Sequence, residues 1–143
     1  MAEIIATFAC GVFFGAAFSI SVAQHPASLE TGAAFAGRFF PPMYRRASAL
    51  QICAALVGTV AGIVAWFRGA GFEWLAGSLL LLTVIPFTFL WIMPVNNQLL
   101  APGHDPEAPD TEVLLRRWAP LHGVRTALSG VSFLLFLVGL GQS

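Results

Sequence analysis

Four long stretches without a charged side chain limit what this chain can fold into. Residues 4–24, 47–67, 74–93 and 126–140 contain no Asp, Glu, Lys or Arg. About twenty apolar residues in a helix cross the ~30 Å hydrocarbon core of a bilayer, and the fourth stretch reaches that length when it begins near Pro120. We therefore predict one all-α domain, residues 1–143, built as a four-helix transmembrane bundle with spans at about 4–24, 47–67, 74–94 and 119–141.

The composition excludes two broad classes of protein. With 57% hydrophobic and 10% charged residues and a mean hydropathy of +0.80, the chain is unlike a soluble domain. The net charge of zero does not bear on nucleic-acid binding, but the lack of a basic patch with interleaved aromatics argues against a nucleic-acid partner. Cys10 and Cys53 lie in different apolar stretches and show neither a metal-ligand spacing nor a disulfide framework. Glu3, with no Lys or Arg beside it, favours a first membrane helix over a cleaved signal peptide.

Prolines and glycines predict where the helices end and how they pack. Pro26 should end the first helix just after His25, and the third helix should end at Pro94. Residues 68–73 form a short turn, so the second and third helices are antiparallel neighbours. Residues 112–118 should form a short interfacial helix before the fourth span. Glycines four residues apart predict close packing of the first two helices: Gly11 and Gly15, Gly58 and Gly62.

The arginines predict the orientation of the chain in the membrane. The segment 25–46 carries Arg38, Arg45 and Arg46, and the segment 95–118 carries Arg116 and Arg117. The opposite side of the membrane receives only Arg68. By the positive-inside rule, both arginine-rich loops are cytoplasmic and both termini lie outside.

Polar residues gather at the same membrane level from all four helices. Trp118, His122 and Arg125 are spaced i, i+4 and i+7, so they share one face of the fourth helix. An antiparallel bundle brings the other helices' polar ends to that level: Gln24, His25, Tyr44, Arg45, Gln51, Asn96 and Asn97. Because loop ends are usually more polar than helix centres, only His122 and Arg125, a turn inside the span, are unusual. We predict a polar pocket at the cytoplasmic mouth of the bundle.

Five short motifs in order resemble a known family over nearly the whole chain. They are Gln24-His25-Pro26-Ala27, the run from Phe40 to Ala47 with Gln51, Pro86-Phe87-Thr88, the run from Pro94 to Leu99, and Trp118-x-x-x-His122-x-x-Arg125. This pattern resembles the anthrone oxygenase family, small four-helix membrane proteins whose bacterial members are mostly of unknown function. Two positions differ, since many members have Glu where this chain has Gln24 and Asn where it has His122.

The resemblance implies a reaction and a set of candidate residues. The reaction is oxidation of an anthrone to an anthraquinone with molecular oxygen as co-substrate, and no metal or flavin cofactor is implied. As a hypothesis, His25 is the base, Asn96 and Arg125 hold phenolate oxygens, and His122 supports Arg125 or relays a proton. Tyr44 and Trp118 would stack on the rings. The other candidate substrate-binding residues are Arg45, Gln51 and Asn97.

Two other interpretations of the same residues remain open. His25 and His122 reach one level and could share a metal, but without a carboxylate partner they fall short of a facial triad. The chain could also be a non-catalytic membrane protein that binds a small hydrophobic molecule or serves as a scaffold subunit. The expected partners are membrane lipid, a hydrophobic aromatic small molecule and, in a homo-oligomer, a second copy of this chain.

Overall fold

The computed structural model describes residues 1–142, and within them every regular element is helical. The elements are α1 (Ala2–Ser19), a π-helical segment (Ile20–Gln24), α2 (His25–Glu30), α3 (Ala33–Phe67), α4 (Phe72–Phe87), a second π-helical segment (Thr88–Ile92), α5 (Met93–Leu99) and α6 (Pro109–Gln142). They join into four continuous rods, Ala2–Glu30, Ala33–Phe67, Phe72–Leu99 and Pro109–Gln142, each long and apolar enough to cross a membrane. The predicted all-α, four-helix membrane bundle is confirmed.

The rods are longer than the predicted spans. The longest has 35 residues, which at 1.5 Å per residue is about 52 Å, well beyond the ~30 Å of a hydrocarbon core. The extra length lies at one end of the bundle, which also carries the turn at Thr31–Gly32 and the loop 100–108. We call this the loop end. The terminal end carries the start of α1, the end of α6 and the short turn after Phe67, which the sequence predicted.

The segment 25–46, predicted to be a loop, is helical except at Thr31 and Gly32. Pro26 does not end the first rod. Because proline has no N–H, it cannot make the usual bond to the carbonyl four residues earlier. The chain widens into a π-helix instead, in which the His25 N–H bonds to the Ile20 carbonyl. Gly32, with φ 124°, supplies the turn into α3.

The third and fourth rods also continue where ends were predicted. The third passes Pro94 and ends at Leu99, and the Met93 N–H bonds to the Thr88 carbonyl in its π-helical segment. The prediction of a separate interfacial helix at 112–118 is wrong, because these residues belong to the first part of α6, which has Pro120 in its interior. Leu115 and Trp118 are buried there. Helical continuity is what places both side chains in the core.

The bundle has two hydrophobic cores stacked along its axis. The core at the terminal end is built around Phe13, Trp74 and Phe136 from α1, α4 and α6. The core at the loop end is built around Phe40, Leu115 and Trp118, together with apolar residues of α5. Large apolar side chains on the outer surface, such as Phe8, Val60 and Leu134, are exposed. A bilayer is the medium in which such an exposed apolar surface is stable, which makes the chain a multi-pass integral membrane protein.

Candidate functional site

A buried arginine lies where the two cores meet. Arg125 of α6 is 8% exposed, and its Nη2 donates a hydrogen bond to Oε1 of Gln51 of α3 at 2.8 Å. Its Cζ lies 5.5 Å from the centroid of the Phe13 ring, a distance suited to a cation–π contact. Among residues 1–142, no carboxylate lies within ion-pair distance of this guanidinium. Within these residues, its partners are therefore the amide of Gln51 and the ring face of Phe13.

Two buried hydrogen-bond donors at this pair have no partner in the part of the chain that the structure describes. They are Nε of Arg125 and Nε2 of Gln51. A buried donor without an acceptor costs about 1–3 kcal/mol, and more when the group is charged. Both groups can donate and neither can accept. The pair is therefore suited to a ligand oxygen that accepts hydrogen bonds, above all a negatively charged one.

Both side chains line a cavity of about 280 Å³ between α3 and the third rod. Its remaining walls are mostly apolar or aromatic, with hydroxyls from Tyr44, Ser48 and Thr88. The Tyr44 hydroxyl donates to Sδ of Met93 at 3.6 Å. The other lining residues are Phe13, Ile52, Ala55, Val84, Ile85, Phe89 and Met93. A mostly apolar cavity with a few convergent polar groups is the usual form of a small-molecule site.

An aromatic stack built on Trp118 lies toward the loop end of this cavity. The Trp118 ring lies 5.0 Å from His25 and 4.4 Å from His122, centroid to centroid. Phe40 meets it edge-on at 5.3 Å. The indole Nε1 donates to Oδ1 of Asn96 at 2.9 Å. The stack ties together the first, second, third and fourth rods at one level.

Hydrogen bonds fix the proton on His25. Its Nε2 lies 3.0 Å from the carbonyl oxygen of Leu115. Because a carbonyl only accepts, Nε2 carries the proton, and Nδ1 is the unprotonated nitrogen of the neutral ring.

A chain of hydrogen bonds fixes the proton on His122 in the same way. The Thr126 hydroxyl donates to the His122 carbonyl at 3.2 Å. Ser21 must then donate to Thr126, 2.9 Å away, and Nδ1 of His122 must donate to Ser21, also at 2.9 Å. This arrangement leaves Nε2 as the unprotonated nitrogen of neutral His122.

The structure divides the predicted site residues into three groups. Tyr44, Gln51 and Arg125 line the cavity. Four others form the adjacent stack and do not line it: His25, Asn96, Trp118 and His122. Arg45 and Asn97 are exposed and belong to neither group.

In the part of the chain that the structure describes, no third ligand joins His25 and His122 in a metal site. Among residues 1–142, no group of three or more His, Cys, Asp and Glu side chains could hold a metal ion. His104, the remaining histidine, lies in the loop 100–108 and bonds through Nε2 to the Thr111 hydroxyl at 2.9 Å.

Sequence reasoning missed most of the cavity wall. The helical spacing around Gln51 could have indicated the part of the wall that α3 contributes. Tyr44, Ser48 and Ala55 lie at i−7, i−3 and i+4 from Gln51 and share its face of the helix. Thr88 belongs to the motif Pro86-Phe87-Thr88, for which no role in the site was predicted. Nothing in the sequence indicated Phe13, because its contact with Arg125 joins residues 112 positions apart.

The fold and the cavity define a small multi-pass membrane protein with a mostly apolar cavity that holds two buried polar side chains, Gln51 and Arg125. The family model for anthrone oxygenase matches residues 40–135, two thirds of the chain. The protein therefore belongs to the anthrone oxygenase family. The matched range includes Gln51 and Arg125 but begins after His25. No curated protein and no solved structure matches the chain significantly.

Proposed function

We propose that this protein binds a hydroxyanthrone-type aromatic in the cavity and oxidises it with molecular oxygen to the quinone. The observation that carries the proposal is the Arg125–Gln51 pair, which within residues 1–142 has no carboxylate partner and presents two buried donors without acceptors. Such donors stabilise an oxyanion that develops during a reaction. Membership of the anthrone oxygenase family supplies the substrate class.

The chemistry is balanced with oxygen as the only other reactant. The C10 methylene of a hydroxyanthrone is acidic because its anion is aromatic, and that anion carries negative charge on oxygen. After C10 loses a proton, the anion gives an electron to O2 and a C10–O bond forms. The resulting peroxide anion takes a proton back to become a hydroperoxide, which loses water with the second C10 hydrogen and leaves a carbonyl, so anthrone and O2 give anthraquinone and H2O. Arg125 and Gln51 lower the free energy of the anion, which forms first.

The size of the cavity agrees with a small, flat ligand. Its volume of about 280 Å³ is just below the ~300–1,000 Å³ typical of sites for drug-sized molecules. Phe13 and Phe89 line the cavity with aromatic rings, which favour contact with a flat aromatic ligand. An oxygen on that ligand, directed toward Arg125, would complete the hydrogen bonding of the pair.

The proton that leaves C10 needs an acceptor. No His, Asp, Glu or Cys is among the residues that line the cavity. His25 and His122 each keep an unprotonated nitrogen, but both lie in the Trp118 stack. Water that enters with the substrate can accept the proton once Arg125 has made the C10 proton more acidic. The assignment of His25 as the base stays a prediction.

The proposal is tested by oxygen uptake of the purified, chelator-treated protein with emodin anthrone, after subtraction of autoxidation. We expect uptake above background, and a loss of about 10²–10³-fold in kcat for Arg125→Gln, as when an oxyanion donor is removed elsewhere. Arg117→Gln is the matched control, because Arg117 is on the same helix but exposed and away from the cavity. An Arg125→Gln variant that turns over like the wild type refutes the proposed site. Uptake that requires added metal refutes cofactor independence.

A second function, binding without turnover, is favoured by the same absence of an acid or base from the cavity lining. In that case the protein carries a small hydrophobic molecule within the membrane. Emodin anthrone would then bind under anaerobic conditions and depend on Arg125. Oxygen uptake would stay at the uncatalysed rate.

A further inference from the structure

We infer that the ligand reaches the cavity sideways from the bilayer, through the gap between α3 and the π-helical segment Thr88–Ile92. The substrate class is then an amphipathic aromatic dissolved in lipid, which enters with an acceptor oxygen leading. The identity of the ligand rests on the proposed function. The route rests on the cavity walls alone.

The back and floor of the cavity are closed. Phe13 and Ala55 are each 1% exposed, Val84 is 2% exposed, and Gln51 and Arg125 are also buried. These residues come from α1, α3, α4 and α6, which pack against one another at this level. A ligand therefore cannot approach from the terminal end or from the side of α6.

The loop end of the cavity is closed by side chains that bridge the helices. The Tyr44 hydroxyl reaches Sδ of Met93 at 3.6 Å, joining α3 to α5. Phe40 stacks on Tyr44 at 5.8 Å and also contacts Trp118. The direct path from the aqueous side therefore passes through an aromatic cluster.

The remaining side is open and apolar. Ile52 of α3 is 57% exposed and Phe89 of the π-helical segment is 67% exposed, although both line the cavity. Ser48, Ile85 and Thr88 on the same side are half-buried. Ile52 lies inside the predicted span 47–67, so this opening faces hydrocarbon and not water.

Polarity rises along this route. A ligand passes Ile52 and Phe89 at the opening and meets Arg125 and Gln51 at the closed end. An aromatic with an oxygen at one edge gains hydrogen bonds as it moves inward, and its apolar edge stays near lipid. A ligand that keeps a permanent charge at every edge has no favourable path through the opening.

The route is tested by the rate at which emodin anthrone binds, under anaerobic conditions, to the full chain in lipid nanodiscs. Quenching of tryptophan fluorescence reports binding without any oxidation. Ile52→Phe should narrow the opening and slow binding by about fivefold or more, and Phe89→Ala should widen it and speed binding. The controls are Val60→Phe and Phe8→Ala, at lipid-facing positions that do not line this cavity.

The outcomes separate the route from the oxidation. Slower binding in Ile52→Phe and faster binding in Phe89→Ala, with unchanged controls, support the route even when the wild type consumes no oxygen. Unchanged binding in both opening variants overturns it, even when the wild type oxidises the anthrone. Equally fast binding of a sulfonated anthrone, which stays in water, also overturns it. A wild type that binds no anthrone overturns both proposals.

Discussion

Arg125 is held inside the membrane half of α6 by a neutral amide and an aromatic ring. A guanidinium that served only to stabilise the bundle would be expected to have a carboxylate partner, since an unpaired charge in a bilayer is costly. Within residues 1–142 it has none. An arginine left with an unpartnered Nε is better explained by an anionic ligand than by packing.

The two histidines differ from Arg125 because one ring nitrogen of each already makes a hydrogen bond within the bundle. His25 donates to Leu115 of α6, and its ring packs on Trp118. This geometry favours a positioning role, in which His25 fixes the Trp118 stack beside the cavity.

Substitution of His25 separates a base from a positioning residue. Glutamine can keep the Nε–H bond to the Leu115 carbonyl but cannot take up a proton near neutral pH. We expect His25→Gln to keep turnover within about threefold, and His25→Ala to lose most of it at equal folded protein. A loss of about 10²–10⁴-fold in both variants, the range for a missing general base, would identify His25 as the base instead. Wild-type turnover in His25→Ala would remove His25 from the mechanism.

At the scale of the helices, both π-helical segments arise beside a proline, and both allow the helix to continue past it. The first directly precedes His25-Pro26, and the second directly precedes Met93-Pro94. Each ends with a backbone hydrogen bond from an N–H to the carbonyl five residues earlier. The extra residue in the turn allows the rod to continue past the proline. It also places Phe89 and Thr88 beside α3 as the outer wall of the cavity.

The glycine pairs of α1 and α3 differ in how closely neighbouring helices approach them. A Cβ at Gly62 of α3 would meet Ser78 and, at 2.9 Å, the buried Phe136 ring. A Cβ at Gly58 would lie 3.0 Å from Leu81. Gly15 of α1 has nothing within 4 Å of such an atom. The close packing predicted for the second helix is confirmed, but Gly15 takes no part in it.

These contacts give a stability prediction for the helices. Gly62→Ala should destabilise the bundle by about 1–3 kcal/mol, because the added methyl group overpacks the core at the terminal end. Gly15→Ala should be neutral or stabilise by up to about 1 kcal/mol, because alanine is the better helix former. Thermal unfolding of both variants in one detergent measures the difference. Equal midpoints, or a lower midpoint for Gly15→Ala, would contradict this account of the packing.

At the scale of the whole molecule, the two stacked cores explain why the site lies where it does. Residues of the predicted spans form most of the core at the terminal end, and residues beyond those spans form most of the core at the loop end. Arg125 and Gln51 lie between them, inside the predicted spans 119–141 and 47–67 and toward the loop end of each. An apolar ligand can dissolve in the bilayer and still reach polar groups at that depth.

The orientation of the bundle is predicted by its arginines and can be measured directly. With the loop end cytoplasmic, alkaline phosphatase fused after Ser143 should be active and a green fluorescent protein at the same place should be dark, because phosphatase folds only outside the cytoplasm. Fusion after Gly103, in the loop 100–108, should give the opposite pair of results. The reverse pattern at both positions would place both termini in the cytoplasm.

The sequence by itself determined the class, the number of membrane helices and the gathering of polar residues from all four of them at one level. Uncharged stretches of bilayer length admit few structures other than membrane helices, because every buried backbone group must be paired within its own segment. The spacing of Trp118, His122 and Arg125 likewise fixed their common face, since helical periodicity is a local property. These features required no knowledge of which helices are neighbours.

Only the tertiary structure decided which polar residues share the cavity and where the helices end. Local rules predicted breaks at Pro26 and Pro94, but residues after both prolines are buried in the bundle, and this burial favours continuous helices: Ser28 in the first rod, Val95 and Leu99 in the third. Periodicity also gives the face of a helix without the neighbour that it meets. Arg125 therefore meets Gln51 and Phe13, while His25 meets Leu115, through long-range packing that the sequence pattern does not contain.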